Sequence, residues 1–496
     1  MLNRSKNTSK EATSGDEANF VKIFTTYCLV QVFILLNLFS ISDAHLLMRS
    51  KDFNIPIINA QTSVVGFLIF SSFVISIISI YISREYYLME WRCKVARSPS
   101  KSIFSFNTRN DINTIISRCV VIFSVFFSGP LTTYLLLIRL SDYQSKVYFL
   151  LQLMAFVVCL YSCGKNYKST LNLYRDDYSK SFHKLLLVCM TLHLYICVDT
   201  IFISSSFSPI FYIKQNSALL DDEDGGTVWF IPHIKIDRTE KIYTPDENAN
   251  SFARMTGYHE DVYNISRSIS LDLRSRSLKY LDLWGQSIPR IWAHDSDLSG
   301  ANLSFARLMG TNFVNTNLHG VNFSMSVLDG SSFFNSNIES VIFNNTHLIG
   351  SIFSDTQIRN SIIIGSTFLG SQFYGSKIER SKLYDNDFNA IGLFDSSFSM
   401  NNVFNQKISY IFTSGEANDN TDIVFKKDEL TAKEKLSKYF CTGHKLSITK
   451  KFSLYSILSG YNLTNELYAE SIHDYFNKDG CGYVRQFTSK IMDNSM

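Results

Sequence analysis

From Leu298 to Ile408 every fifth residue of this 496-residue chain is aliphatic or Phe, and the register never slips. The anchors are Leu298, Leu303, Leu308, Phe313, Leu318, Phe323, Leu328, Phe333, Ile338, Phe343, Leu348, Phe353, Ile358, Ile363, Phe368, Phe373, Ile378, Leu383, Phe388, Leu393, Phe398, Val403 and Ile408. A weaker version reaches upstream through Leu273, Leu278, Leu283 and Ile288, with Ala293 in the slot. Two residues before an anchor the side chain is usually small, as at Ala301, Ala306, Thr311, Ser331 and Ser351. Two residues after it stand Gly300, Gly310, Gly330, Gly350 and Gly370, with Asn315, Asn335, Asp355 and Asp385 between. A period of five fits neither the 3.6 of a helix nor the 2 of a strand. It describes a short extended piece, a turn and another extended piece. Anchor and small residue face a narrow interior, while Gly, Asn and Asp turn the corners.

The units ANLSF, ARLMG, TNFVN, TNLHG, VNFSM and SQFYG resemble the A(D/N)LXX units of the pentapeptide repeat family over about 28 units. The resemblance implies an all-β right-handed quadrilateral β-helix, four pentapeptides to a coil. About seven coils stacked at the strand spacing make a rod of about 34 Å. Such a solenoid buries its anchors only by stacking each coil on the next. From Leu308 to Ile358 aliphatic and Phe anchors alternate. Ten residues is half a coil, so Phe is expected to stack up two opposite walls as core packing. The alternation breaks after Ile363, and a change in cross-section or a local irregularity is expected near Ile363 to Phe373.

The N-terminal part has another pattern. A mean hydropathy of +0.02 with 46% hydrophobic residues averages two unlike halves, because the apolar residues before position 213 come in blocks. Phe20–Ser42, Val64–Ile82, Ile112–Leu140, Val147–Cys163 and Leu185–Ile203 are long enough for membrane helices, which need about 20 apolar residues. Five spans are expected in an α-helical transmembrane domain over 20–213, after a cytoplasmic tail at 1–19. A linker follows at 214–268, then the repeats at 269–411 and a small helical cap or tail at 412–496. Lys and Arg crowd the segment before the first span and the loops after the second and fourth. The positive-inside rule then puts the N-terminus in the cytoplasm and the repeats on the outer, periplasmic side. Gly129-Pro130 is expected to kink the third span. The segments DAHLL, FNIPIINAQTSVVGF, GPLTTYLLL and LDLRSRSLKYLDLWG are similar to those of bacterial multi-span membrane proteins with a C-terminal pentapeptide domain, which implies the inner membrane.

Cys189, His193 and Cys197 recur at i, i+4 and i+8, and Cys159 and Cys163 at i, i+4. Thiolate with imidazole is a ligand set for soft metals. Small apolar Cys is also ordinary in buried helices, and no CxxC pair or charged support accompanies these, so no metal and no cofactor are expected. Asp199 is a deep ionisable group or an interfacial one, according to where its helix ends. In the tail, Asn477–Val484 has part of a calcium-loop pattern, but Cys481 and Thr488 fall where oxygen ligands and a bidentate Glu belong, so calcium is not expected. Cys441 and Cys481 can pair if the tail lies outside.

GxSxG, HExxH, P-loop and strand-to-helix GxGxxG patterns are absent, and no enzyme is expected. The leading reading is a membrane-anchored scaffold that presents a rigid rod next to the bilayer, with membrane lipid and an unidentified protein at the β-helix surface as its partners. A transporter, channel or metal-handling unit is one alternative. The other is a DNA-mimic inhibitor of a topoisomerase, which needs a strong negative field. Between Asp295 and Lys407 nine carboxylates face six cations, and no nucleic acid partner is expected.

Overall fold

The structure is a computed structural model, and it describes residues 2–47, 53–55, 60–95, 120, 122–174, 180–202, 234, 271–414, 429–459 and 466–495. The chain divides into two units, Met1–Asp222 with Gly226–Pro232, and Glu223–Gly225 with His233–Met496.

The first unit is helical. Its elements are α1 (Leu2–Ser40), the short α2 (Asp43–Leu47), a hairpin of β1 (Phe53–Ile55) and β2 (Ala60–Thr62), α3 (Val64–Val95), α4 (Ser128–Asp142), α5 (Lys146–Tyr174) and α6 (Lys180–Phe202). Among the described residues four segments are long and apolar enough to cross a membrane: Ala18–Ser40, Val64–Arg92, Phe123–Asp142 and Lys146–Thr170. The fifth apolar run forms α6, but among the described residues its apolar part is only Met190–Phe202. A π-helical turn, Ile122–Phe127, precedes α4. Pro130 has no N–H to continue the ladder into that turn, so the expected disturbance lies one turn ahead of Gly129-Pro130.

Hydrogen bonds between helices follow one face of α3, where Ser72, Ser76, Ser79 and Ser83 recur at helical spacing and are buried. The Tyr27 hydroxyl of α1 lies 2.9 Å from Ser79 Oγ and 3.2 Å from Ser128 Oγ, and accepts from Gln31 Nε2 at 2.7 Å. Asn166 of α5 donates to Ser83 Oγ at 2.8 Å. Without water inside a bilayer, such hydroxyl and amide pairs and small side chains let helices approach and hold. Arg139 Nη1 lies 2.8 Å from Asp43 and 2.9 Å from Asp142, and its Nη2 donates to Ile41 O at 2.6 Å. That guanidinium ties the end of α1 and α2 to α4.

The second unit is built on the five-residue period. Strands pair in parallel with partners twenty residues away, as in Ile338–Ile358–Ile378 and Phe343–Ile363–Leu383. Each coil therefore has four walls, and the whole is a β-solenoid of about seven turns. We call the walls A, B, C and D after the anchors Leu298, Leu303, Leu308 and Phe313 and those in register with them. Every anchor from Leu298 to Phe398 is buried, Val403 near the open end is half-buried, and the side chain of Ile408 lies outside the described residues.

The two expected Phe columns are present. On wall D, Phe313, Phe333, Phe353 and Phe373 stack with centroids 4.8–5.0 Å apart; on opposite wall B, Phe323 and Phe343 stack at 5.3 Å. The expected irregularity between Ile363 and Phe373 does not occur, for the pairing there keeps its twenty-residue step. Instead the aromatic column moves to wall C, where Phe368 stacks on Phe388 at 4.6 Å while wall B takes Ile363 and Leu383. The interior thus trades a ring on one wall for a ring on its neighbour, so the stacked rings pass from opposite walls, B and D, to adjacent ones, C and D. The register shifts later, between Phe388 and Gly392.

At the first described coil, Asp282 N–H donates to Ile234 O at 2.9 Å. Ile234 is buried. Otherwise the expected linker at 214–268 lies outside the described residues.

Candidate functional site

A solenoid offers walls and corners to a partner, so the site question becomes which walls are free. From Ser275 to Asn405 every fifth residue has a positive φ, between 47 and 71°. Gly, Asn and Asp take many of these corners, as their spacing implied. Tyr280, Arg290, Phe305, Met325, Arg380 and Met400 take others. The small residues before the anchors do more than save space. Ser336, Thr346, Ser351 and Thr356 each donate a hydroxyl to the carbonyl of the anchor 23 residues earlier, at 2.8–2.9 Å. Each hydroxyl thus adds a hydrogen bond to an anchor carbonyl, which Ala cannot do; two of these carbonyls, Phe323 O and Leu328 O, also accept from Ser326 N–H and Ser331 N–H at 3.1 and 3.0 Å.

The corner between walls C and D is distinct. It carries Gly310, Gly330, Gly350 and Gly370, twenty residues apart, and then Ala390. Two tail helices, α7 (Glu429–Phe440) and α8 (Ile448–Ser459), fill it, and α9 (Glu466–Asp479) and α10 (Gly482–Ser495) pack on these two. A Cβ on Gly330 would stand 2.5 Å from Phe452 O, and one on Gly350 2.7 Å from Ser453 O, so α8 runs against backbone that only glycine leaves open. Met309, Ile349 and Leu369 of wall C and Phe394 of wall D join Leu436, Phe452 and Ile457 in one apolar core. The expected end cover is therefore only part of the tail's work. Helix α7 packs on the last strands, Asp387–Phe394 and Lys407–Ser414, and α8 lies along the flank. Cys441 and Cys481 form a disulfide, Cα atoms 5.7 Å apart, joining the end of α7 to the α9–α10 turn.

Asp329 sits under this cover, 1% exposed. Its Oδ1 accepts from Ile349 N–H at 2.9 Å and its Oδ2 has no hydrogen-bond partner. Burial raises its pKa to about 7 and outweighs the backbone hydrogen bond. Tyr439 of α7 is also raised, by burial first and by Asp329 second. Burial lowers His294 and His347.

From Asn317 onward walls A and B are not covered by the described residues of this unit, whereas Arg276, Lys279 and Tyr280 at the first coil are buried. Wall A is polar: Asn317 donates to Asp297 at 3.1 Å, Arg359 pairs with Glu379 at 3.2 Å, and His319 lies 3.8 Å from Glu339. A second polar ladder climbs the corner between D and A, from Asn335 to Asn315 at 2.8 Å and from Asn315 to Asp295 at 3.0 Å. Wall B turns apolar residues outward, Ile342, Ile362, Ile364 and Tyr384 to Phe404. The anchor column hid this at the sequence level, although it is legible one residue to either side of the anchors.

The metal-ligand candidates are not gathered. Cys159 and Cys163 are buried on α5, and Cys197 is buried on α6, 3.8 Å from Ser141 Oγ. His193 packs edge-on against Tyr134 at 5.8 Å, and the side chain of Cys189 lies outside the described residues. Among the described residues no three of His, Cys, Asp or Glu are grouped to hold a metal ion. Asp199 is buried, and its Oδ2 is unpartnered.

The pentapeptide repeats family matches residues 296–335 as eight copies. The chain therefore carries a pentapeptide-repeat domain, here preceded by four helices of membrane-crossing length. It is a multi-pass, membrane-anchored pentapeptide-repeat β-helix. Solved structures similar to it include a pentapeptide repeat protein from the Arabidopsis thaliana thylakoid lumen, 30% identical over 19% of this chain and 66% of that one, TM-score 0.19. Another is a pentapeptide repeat protein from the cyanobacterium Cyanothece 51142, 17% identical over 26% of this chain and 91% of that one, TM-score 0.20. A third is QnrB1, a plasmid-mediated fluoroquinolone resistance protein, 16% identical over 34% and 96% of the two chains, TM-score 0.15. No curated protein matches the sequence. The fold rests on the strand register rather than on these likenesses.

Proposed function

We propose that the protein is a non-enzymatic scaffold that holds a protein partner on wall A of its solenoid, outside the bacterial inner membrane. The observation that carries this reading is the division of the walls. The tail covers the edge between C and D, while wall A presents a regular ladder of Asn, Asp, Glu and Arg side chains, a surface for directional hydrogen bonds to a folded partner. The walls bring together no nucleophile with a base, and their buried carboxylate, Asp329, lies under the tail. The outward placement takes α6 as a fifth crossing after the four longer helices, and draws support from the Lys and Arg distribution and from the Cys441–Cys481 pairing, which persists in oxidising compartments.

Reporter fusions at Lys165 and Ser414 test the placement: Lys165 is expected to report cytoplasm and Ser414 periplasm. A cytoplasmic Ser414 overturns it. Cross-linking in intact cells tests the scaffold role. Asn337→Arg on wall A is expected to lose the captured partner, whereas Asn344→Arg on wall B retains it. A chain that captures nothing overturns the reading.

A further inference from the structure

Wall B differs from wall A although both are built on the same repeat. Its outward column runs Asn344, Ile364, Tyr384 and Phe404 in strand register, beside a second column of Ile342, Ile362, Lys382 and Asn402. Phe404 is 65% exposed and Met400, at the adjoining corner, 72%. Tyr384 meets Phe404 edge-on at 6.5 Å. Two exposed cations, Arg380 and Lys382, flank these side chains, and the nearby carboxylate, Asp385, is bonded by Asn405 Nδ2 at 2.6 Å.

We infer that wall B, from Ile342 to Phe404, is a lipid-facing surface that rests on an anionic bilayer. Three arguments select this occupant. Aromatic and aliphatic tips beside Lys and Arg are the side-chain set of a membrane interface, where rings sit at headgroup depth and cations meet lipid phosphate. Area excludes a stable pair of copies through this wall. Four three-residue strands at about 4.8 Å spacing make a face of about 200 Å², against about 800 Å² per partner in a stable complex. Finally, the chain carries helices of membrane-crossing length, so the solenoid is tethered to a bilayer. A tether makes the encounter intramolecular, and a surface worth about 1 kcal/mol per cation and little more per apolar tip suffices. The inference needs the membrane anchor and not the scaffold role.

The test uses the full chain in nanodiscs, with the photo-cross-linker p-benzoylphenylalanine in place of Phe404 on wall B or Ser399 on wall A. Lipid adducts are expected at position 404 and at least several-fold fewer at 399. They should be more abundant in phosphatidylglycerol-containing discs than in phosphatidylcholine alone, and reduced several-fold by Arg380→Glu with Lys382→Glu. Equal adducts at both positions overturn the inference, as does no adduct at either. Cross-linking of position 404 to a second copy, or to residues 235–270 of the same chain, overturns it by naming another occupant.

Discussion

At the residue scale, the group whose environment departs furthest from its sequence appearance is Asp329. In the sequence it is one of nine carboxylates along the repeats; in the fold it is buried beneath α8 with one oxygen unpaired. A folded pKa of about 7 against a model value of 3.8 means that the folded state holds a proton the unfolded chain has released. The stability linked to this proton is fully present below about pH 4 and is lost as pH rises to about 7. Asp329→Asn removes the dependence. The variant is expected to match the parent at pH 4 and exceed it at pH 8 by up to about 4 kcal/mol, read by thermal unfolding or by slower amide exchange in Ile448–Ser459. A stability gap that does not change with pH would count against the assignment. The alternation of anchors showed which residues face the interior. It could not show that Asp329 is covered, because its cover comes from residues more than a hundred positions later.

At the element scale, the repeat strands and apolar helices were legible because their side-chain periods are local. The flank position of α8 was not. Four glycines spaced by twenty within a repeat that carries other corner glycines look like any other corners; only their alignment on one edge, after twenty-residue folding, makes a groove. Two substitutions separate backbone strain from lost packing. Gly320 and Gly350 have φ of 68 and 66°, yet a Cβ at Gly320 meets nothing nearer than Gly300 N at 4.0 Å. Gly320→Ala is expected to cost about 1–2 kcal/mol for the left-handed conformation alone. Gly350→Ala carries the same cost and also pushes Ser453 O away, so amide exchange and proteolysis across Ile448–Ser459 should rise in that variant only. Equal protection of α8 in both variants would refute the close approach. Likewise, the serine face of α3 reads as scattered small residues in sequence, and its role appears only where Tyr27 and Asn166 reach it.

At the scale of the whole molecule, the Cys441–Cys481 bond closes a loop across the tail at a sequence separation of 40. Cross-linking such a loop restricts the unfolded chain by about 4 kcal/mol in the chain-entropy account. Cys441→Ser should therefore lower the stability of α7–α10 by that order and leave the early coils protected, as hydrogen exchange would report. Uniform loss along the solenoid would instead mean that tail and coils unfold as one. By itself the sequence determined the two architectures, since blocks of apolar residues specify membrane helices and a strict five-residue period specifies a four-walled coil, both through local backbone geometry. Tertiary structure alone decided which walls stay open and which carboxylate is buried. Those outcomes depend on the tail returning to pack against coils far earlier in the chain, a long-range contact that no local period encodes.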